Sequence, residues 1–256
     1  MTKIKEAFKN GKAFIPFITA GDPNLETTEK LILAMDKSGA DIIEIGIPFS
    51  DPVAEGVVIQ QADTRALESG TTTDKIFDMV KRISPKCGCP LVFMTYINPI
   101  YVYGADKFME NCKESGISGV IVPDVPFEEK QELKPYCDKY GVELISLIAP
   151  TSHERIKMIA KEAQGFLYCV SSIGVTGVRS EITTNIGEMI EAVKSVSDIP
   201  CAVGFGISTP EQAKDMAKYA DGVIVGSAIV KLVAKYGENS EKAVSDYVKS
   251  MKEAIK

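Results

Sequence analysis

Apolar runs recur along the chain at residues 13–19, 42–46, 91–96, 119–122, 143–148, 166–170, 201–204 and 222–225. Each is rich in β-branched side chains and bounded by glycine, proline or polar residues. Between them the apolar positions fall at helical spacing. Segment 24–38 starts after Asp22-Pro23 and ends before Gly39, and 105–115 ends before Gly116. Segment 127–140 ends before Gly141, and 210–219 starts after Ser208-Thr209. The pattern predicts eight strands, each followed by a helix, with no linker-like break. Eight β/α units in 256 residues are the size expected of one (β/α)8 TIM barrel, so residues 1–256 read as a single α/β domain. Two additional short helices are expected, one at the amphipathic N-terminus Met1-Thr-Lys-Ile-Lys-Glu-Ala-Phe8 and one at 227–236, after the eighth strand. A doubly wound open sheet is the alternative, but it usually carries a nucleotide fingerprint after its first strand.

The second run breaks its own pattern. In Asp41-Ile-Ile-Glu-Ile-Gly46, residues Ile42, Glu44 and Gly46 share one face of a strand and Ile43 and Ile45 the other. In a parallel sheet both faces are buried, so Glu44 points into an interior. A carboxylate there is unfavourable unless it is paired, protonated or used chemically. A structural acid held by a hydrogen-bond partner is the other reading. Two βα joins are also longer than usual. One follows Gly46 and carries Ser50, Asp51 and Glu55, with a short helix expected over 57–69; the other runs over 171–185 and contains Gly174-Val-Thr-Gly177. Long βα loops of a barrel lie on its catalytic face, which makes both lid candidates.

Three glycine-bearing strand ends, Gly174-Val-Thr-Gly177, Gly204-Phe-Gly206 and Gly226-Ser227, predict a phosphate site. In barrels the loops after strands seven and eight commonly hold a phosphate. Glycines let backbone N–H groups approach the anion, and a helix N-terminus adds favourable partial charge. Ser227 can donate from the first turn of the 227–236 helix. Phe17, Met94, Tyr96, Ile121, Tyr168 and Phe205 lie near the C-terminal ends of their strands and can wall an apolar group, although core filling accounts for part of that set. A phosphorylated substrate with an aromatic group fits such a pocket.

Composition narrows the chemistry. The formal net charge of −6 leaves no electrostatic footprint for nucleic acid, and no apolar run approaches the ~20 residues needed to span a bilayer. The N-terminus does not read as a signal peptide, and the expected location is cytoplasmic. The six cysteines match no zinc spacing. The sole histidine, His153, lies at an expected helix start after Pro150-Thr-Ser152, so carboxylates or tyrosines must carry proton transfer. No lysine lies in 93–96, 120–124, 147–151 or 170–172, which disfavours an imine-forming aldolase. No metal cluster and no dinucleotide fingerprint is present, so the chemistry is expected to be metal- and cofactor-free.

In order along the chain, Ala13-Phe-Ile-Pro-Phe-Ile-Thr-Ala-Gly-Asp-Pro23, Glu44-Ile-Gly-Ile-Pro-Phe-Ser-Asp-Pro52, Pro123-Asp-Val-Pro126, Gly174-Val-Thr-Gly177, Gly204-Phe-Gly-Ile207 and Gly226-Ser-Ala-Ile-Val-Lys231 resemble the tryptophan synthase alpha chain family. The resemblance spans nearly the whole chain, and the run from Glu44 to Pro52 is its most specific part. It implies a (β/α)8 barrel that cleaves indole-3-glycerol phosphate to indole and glyceraldehyde 3-phosphate. It also implies a beta-chain partner that holds pyridoxal phosphate and receives the indole, in an alpha2beta2 tetramer. Glu44 is then the expected proton shuttle and Glu55 the carboxylate facing the ring N–H.

Phe17, Tyr96, Tyr168, Thr176, Gly177, Phe205, Gly206, Gly226 and Ser227 are the expected substrate and phosphate contacts. Tyr168 matches a family tyrosine near the substrate, and Thr176 the lid threonine that meets the loop carboxylate. Asp51 is assigned to loop geometry and signalling to the beta chain. The chain departs from the family where Glu55 replaces the usual aspartate, adding a reach of ~1.5 Å, and where Gly56-Val-Val-Ile59 replaces Gly-Pro-Thr-Ile. A stand-alone indole-releasing lyase, and a weakly catalytic module that activates a beta chain, are the alternatives. A different phosphosugar barrel enzyme, such as an isomerase, does not explain the run from Glu44 to Pro52.

Overall fold

A computed structural model of the protein describes residues 2–170, 186–204 and 206–256. Among these residues eight parallel strands close into a barrel in chain order. They are β1 (Ala13–Thr19), β2 (Ile43–Gly46), β3 (Leu91–Met94), β4 (Ile117–Ile121), β5 (Glu143–Ile148), β6 (Leu167–Val170), β7 (Cys201–Gly204) and β8 (Gly222–Val225). β1 pairs with both β2 and β8, which closes the ring. The barrel expected from the alternation of patterns is the one found.

Side-chain parity divides the strands into two apolar layers. Ala13, Ile15, Val92, Ile121, Ile145, Tyr168, Ala202 and Ile224 form one buried cluster inside the barrel. The residues of opposite parity, among them Phe14, Ile18, Ile43, Ile45, Phe93, Leu167 and Val203, pack outward against the helices. Phe17 registers with Glu44, and Glu44 with Val92, which puts Glu44 on the inner face.

The short helix α1 (Lys3–Glu6) is the expected N-terminal addition. Its Ile4 is fully buried in the inner cluster, and Phe8 stacks on Phe166 at 5.7 Å. Together they plug the N-terminal end of the barrel. At the same end Asp41 accepts from the Phe14 N–H at 2.7 Å and from Lys252 at 2.6 Å, tying the last helix, Glu241–Ala254, to the start of the sheet. The helix α2 (Leu25–Lys37) follows β1, capped by Asn24 on the Thr27 N–H at 2.8 Å. The join after β2 leads into α3 (Val57–Glu68), as its apolar spacing predicts. The additional helix after β8 spans Ser227–Tyr236.

After β3 a further helix, Ile97–Tyr103, precedes the expected one, and the segment after β4 also differs from expectation. Segment 127–140 is two pieces, a 3-10 helix Phe127–Glu132 and an α-helix Lys134–Tyr140. Pro135 explains the break, because it has no N–H to continue a ladder and is tolerated only in a first turn. Several strand edges lie one or two residues inside the apolar runs, where fraying begins.

Ile4→Ala should destabilise the fold by about 2–4 kcal/mol while leaving the opposite end of the barrel unchanged. Urea denaturation measures the first, and ligand titration at the far end tests the second.

Candidate functional site

At the C-terminal end of the barrel the inner face stops being close-packed and opens into a cavity. Phe17 of β1, Glu44 of β2, Met94 of β3, Leu147 of β5, Tyr168 of β6 and Ile224 of β8 form its floor and walls. Ala54, Glu55, Ile59, Tyr96, Pro123, Gly206, Ile207, Gly226 and Ser227 complete it from the βα joins. Two glycines inside the barrel make room for the aromatic walls. A Cβ on Gly46 would stand 2.6 Å from the Phe17 ring, and one on Gly204 would stand 2.7 Å from that of Tyr168. Any larger residue would push these rings out of place.

Glu44 is 1% exposed, and its Oε2 has no hydrogen-bond partner among the described residues. Removal from water, reinforced by the neighbouring Glu55 charge, pushes its carboxyl up to about 8. At neutral pH it is therefore mostly a carboxylic acid, poised to give a proton and take it back. The alternative of an acid held in place by its own partners fits poorly with an orphan oxygen on a residue that lines a cavity. Burial raises the Tyr168 phenol, and the Glu44 charge adds to the shift.

Glu55 enters from the join ahead of α3. Its Oε2 is also buried without a partner among the described residues, and burial pushes its carboxyl up, with Asp63 and Tyr96 acting in the opposite direction. Tyr96 in turn accepts the Ala54 N–H at 3.0 Å and packs on Phe49 at 5.6 Å. The loop is thus pinned on both sides of Glu55. Its base is held by α3, where Arg65 donates twice to Asp22, both at 2.7 Å, and Asp22 is 3% exposed. A bidentate, largely buried pair of this kind fixes orientation as well as position. Asp51 stands apart: it is exposed and, among the described residues, accepts only from the adjacent Ser50 hydroxyl at 2.5 Å.

The expected site residues Phe17, Glu44, Glu55, Tyr96, Tyr168, Gly206, Gly226 and Ser227 all line this one cavity. Gly206 has φ +82°, a conformation glycine adopts without strain. With Gly226 and the first turn of helix Ser227–Tyr236 it forms the side of the cavity where backbone donors and a hydroxyl can meet an anion. Thr176, Gly177 and Phe205 lie outside the described residues, as does the rest of the 171–185 join. Ile121 does not line the cavity but packs in the inner cluster beneath it; Pro123, two residues on, takes its place in the wall. His153 opens the helix His153–Glu162 as an exposed residue, away from the site.

Asp63 is a further buried acid, outside the set expected from sequence. It is 5% exposed on the helix face that buries Ile59, Ala62 and Ala66. An acid four residues after Ile59, on an apolar helical stripe, is the signal that could have found it.

Comparison with known proteins places the chain in a family. The family model described as tryptophan synthase alpha chain matches residues 3–256. The tryptophan synthase alpha chain of Lacticaseibacillus casei is 48% identical over 255 residues, covering 100% of this chain and 96% of the relative. The crystal structure of tryptophan synthase subunit alpha from Legionella pneumophila str. Paris superposes with a TM-score of 0.88 at 37% identity, covering 100% of this chain and 98% of that one. A chain of the tryptophan synthase complex from Pyrococcus furiosus gives 0.85 at 34% identity, covering 95% and 99%.

The raised Glu44 carboxyl has a consequence for stability. Between the unfolded value near 4.3 and the folded value of about 8, the native state binds the extra proton, so stability falls as pH rises, by about 1.4 kcal/mol per unit. Below that window both states are protonated and the burial carries no charge penalty. Glu44→Gln should therefore gain stability over the wild type progressively from pH 5 to pH 8, read by urea denaturation across that range.

Proposed function

This chain belongs to the tryptophan synthase alpha chain family, the lyase subunit that cleaves indole-3-glycerol phosphate to indole and glyceraldehyde 3-phosphate, and we propose that Glu44 and Glu55 carry that cleavage. The observation that supports this most is Glu44, a fully buried acid of raised pKa with an unpartnered oxygen, in one cavity with a second carboxyl.

The retro-aldol reaction needs an electron sink where the indole is. Glu44, protonated at rest, gives its proton to the ring carbon that bears the glycerol chain. The ring becomes a cation whose N–H points to Glu55, and that carboxylate stabilises the developing charge. Glu44, now a carboxylate, takes the proton from the hydroxyl on the adjacent side-chain carbon. That oxygen forms the aldehyde C=O as the carbon–carbon bond breaks, and the bonding pair returns to the ring. Indole and glyceraldehyde 3-phosphate separate, and Glu44 has recovered its proton. One carboxyl of near-neutral pKa serves both halves because it gains and loses a proton with equal ease.

Phe17, Tyr96 and Tyr168 would wall the indole, with Phe205 a further expected contact. Gly206, Gly226 and Ser227 would hold the phosphate, the negative charge favoured at the start of helix Ser227–Tyr236. Thr176 and Gly177 are proposed for the second loop. Metal and organic cofactor have no part in this scheme; the pyridoxal phosphate is assigned to a beta partner that receives the indole.

An alpha2beta2 assembly with that partner is proposed. The P. furiosus relative comes from a tryptophan synthase complex. On this chain the units after β2 and β3 expose Val53 at 72%, Val57 at 65%, Tyr101 at 50% and Val102 at 81%, an apolar display on the cavity end that a partner would cover. Asp51 lies beside it and is assigned to coupling between the chains. The cytoplasm is the proposed compartment; the free thiols of all six cysteines support a reducing environment.

Glu44→Gln should lower kcat for indole release by at least about a thousandfold while calorimetry still detects substrate binding; near-normal turnover would remove Glu44 from the chemistry. Glu55→Ala should lose about 100- to 1,000-fold, and Glu55→Asp should keep or improve the rate. Mixed with a beta chain, the protein should elute from gel filtration as a four-chain complex and cleave substrate faster. Undiminished cleavage without any complex would support the stand-alone reading.

A further inference from the structure

The motif Pro123-Asp-Val-Pro126 has no part in the reaction scheme, yet its acid reaches across to the neighbouring strand end. β4 stops at Ile121, and the chain then turns tightly, the Val125 N–H donating to the Val122 carbonyl at 3.2 Å. Asp124, half-buried in that turn, accepts the Ile97 N–H on both carboxylate oxygens, at 3.0 and 3.2 Å. Ile97 opens helix Ile97–Tyr103, whose own N-cap residue, Tyr96, makes no side-chain cap. Pro99 in the first turn has no N–H to offer. Asp124 therefore supplies, from another strand end, the acceptor that a helix start usually finds beside it.

The same β4 segment holds the chain on the other side of Tyr96, where the Thr95 N–H donates to the Ile121 carbonyl at 3.0 Å. From this anchored position Tyr96 meets the join after β2. Its ring packs on Phe49 at 5.6 Å and its hydroxyl accepts the Ala54 N–H at 3.0 Å. Ala54 directly precedes Glu55, and the Glu55 carbonyl accepts from Gln60 Nε2 of α3 at 2.7 Å. The main chain at Glu55 is thus bracketed, by Tyr96 before it and by α3 after it. We propose that Asp124 is a positioning residue for the cleavage: by fixing the helix start at Ile97 it holds Tyr96 against the Ala54 N–H, and so holds Glu55 at the cavity.

Asp124 acts through other residues. Pro123, Tyr96, Ala54 and Glu55 line the cavity, and Asp124 does not. Of the two brackets, that of Gln60 is exposed, where water competes for its amide. The cap by Asp124 is of the stronger kind, a carboxylate on a backbone N–H. A carboxylate facing the ring stabilises charge that develops only as the ring is protonated, so a loosened join should act on kcat more than on KM.

The inference rests on the reading of Glu55 as the ring-facing carboxylate, and two measurements separate them. The first is amide hydrogen exchange of the ligand-free full chain, followed by NMR. In Asp124→Ala the Ile97 and Ala54 amides should both exchange at least about tenfold faster, while the Thr27 amide, capped by Asn24 on the far side of β1, stays as in wild type. In Tyr96→Phe, which keeps the ring and removes only the hydroxyl, Ala54 should quicken and Ile97 should not. An unchanged Ala54 amide in Asp124→Ala would overturn the link.

The second is steady-state cleavage of indole-3-glycerol phosphate. Asp124→Ala should lose about tenfold in kcat with KM changed less than about threefold. Asp124→Asn keeps an oxygen for the Ile97 N–H and should recover to within about threefold of wild type. On a Glu55→Ala background, Asp124→Ala should cost less than about twofold more, because its target is gone. Wild-type kcat in a folded Asp124→Ala, or an undiminished loss on the Glu55→Ala background, would overturn the positioning role. Faster Ala54 exchange in Asp124→Ala alongside wild-type rates in Glu55→Ala would leave the hydrogen-bonded link standing and overturn the part of Glu55 in the reaction, and with it the route by which Asp124 reaches kcat.

Discussion

The barrel encloses the Glu44 carboxyl, whose Oε2 has no partner among the described residues, and the unfavourable desolvation of that charge is the constraint on which the site depends. A charge in this position would be expelled or neutralised. The interior makes it neutral at rest, with the carboxyl held up at about 8. Everything else at this end of the barrel tunes that condition. The aromatic and aliphatic walls keep water away, and the second carboxyl, Glu55, makes the anion of Glu44 still less favourable until a cation forms between them.

Such a site can exist only where the inner face stops being packed. At the N-terminal end, Ile4 and Phe8 fill the barrel beneath Phe166 and the inner strand residues. At the C-terminal end, Gly46 and Gly204 leave the inner face without side chains, and the rings of Phe17 and Tyr168 swing into that space. Small residues there do not weaken packing; they decide which way the aromatic rings lie. One end of the barrel is thereby committed to stability and the other to a shaped cavity.

The join after β2 is where rigidity and mobility are reconciled. Its exposed edge carries Asp51, Val53 and Val57, while its inner edge carries Glu55, next to the Ala54 N–H that donates to the Tyr96 hydroxyl. The Asp22–Arg65 pair fixes α3, so the inner edge inherits the order of the scaffold. The outer edge remains available to a partner. An event at the surface of this loop can reach Glu55 within a few residues of chain, without passing through the barrel.

The sequence by itself determined the architecture and much of the site. Eight β-branched runs alternating with helical periodicity admit few folds, and an acid at the inward parity of β2 has few uses, because local pattern dictates secondary structure and face. Pro135 is legible too, as the residue that breaks an otherwise continuous helical stripe. The tertiary structure alone decided what lies beside what. Ile121 and Pro123 share a parity, and only barrel closure shows that the first is core and the second is wall. Asp63 is separated from Glu55 by a helix start and from Asp22 by α2, β2 and its loop, so nothing in local pattern reveals that their charges act on one another. Strand pairing and helix docking bring those charges together, and electrostatic coupling between side chains depends on distances in space that sequence spacing does not encode.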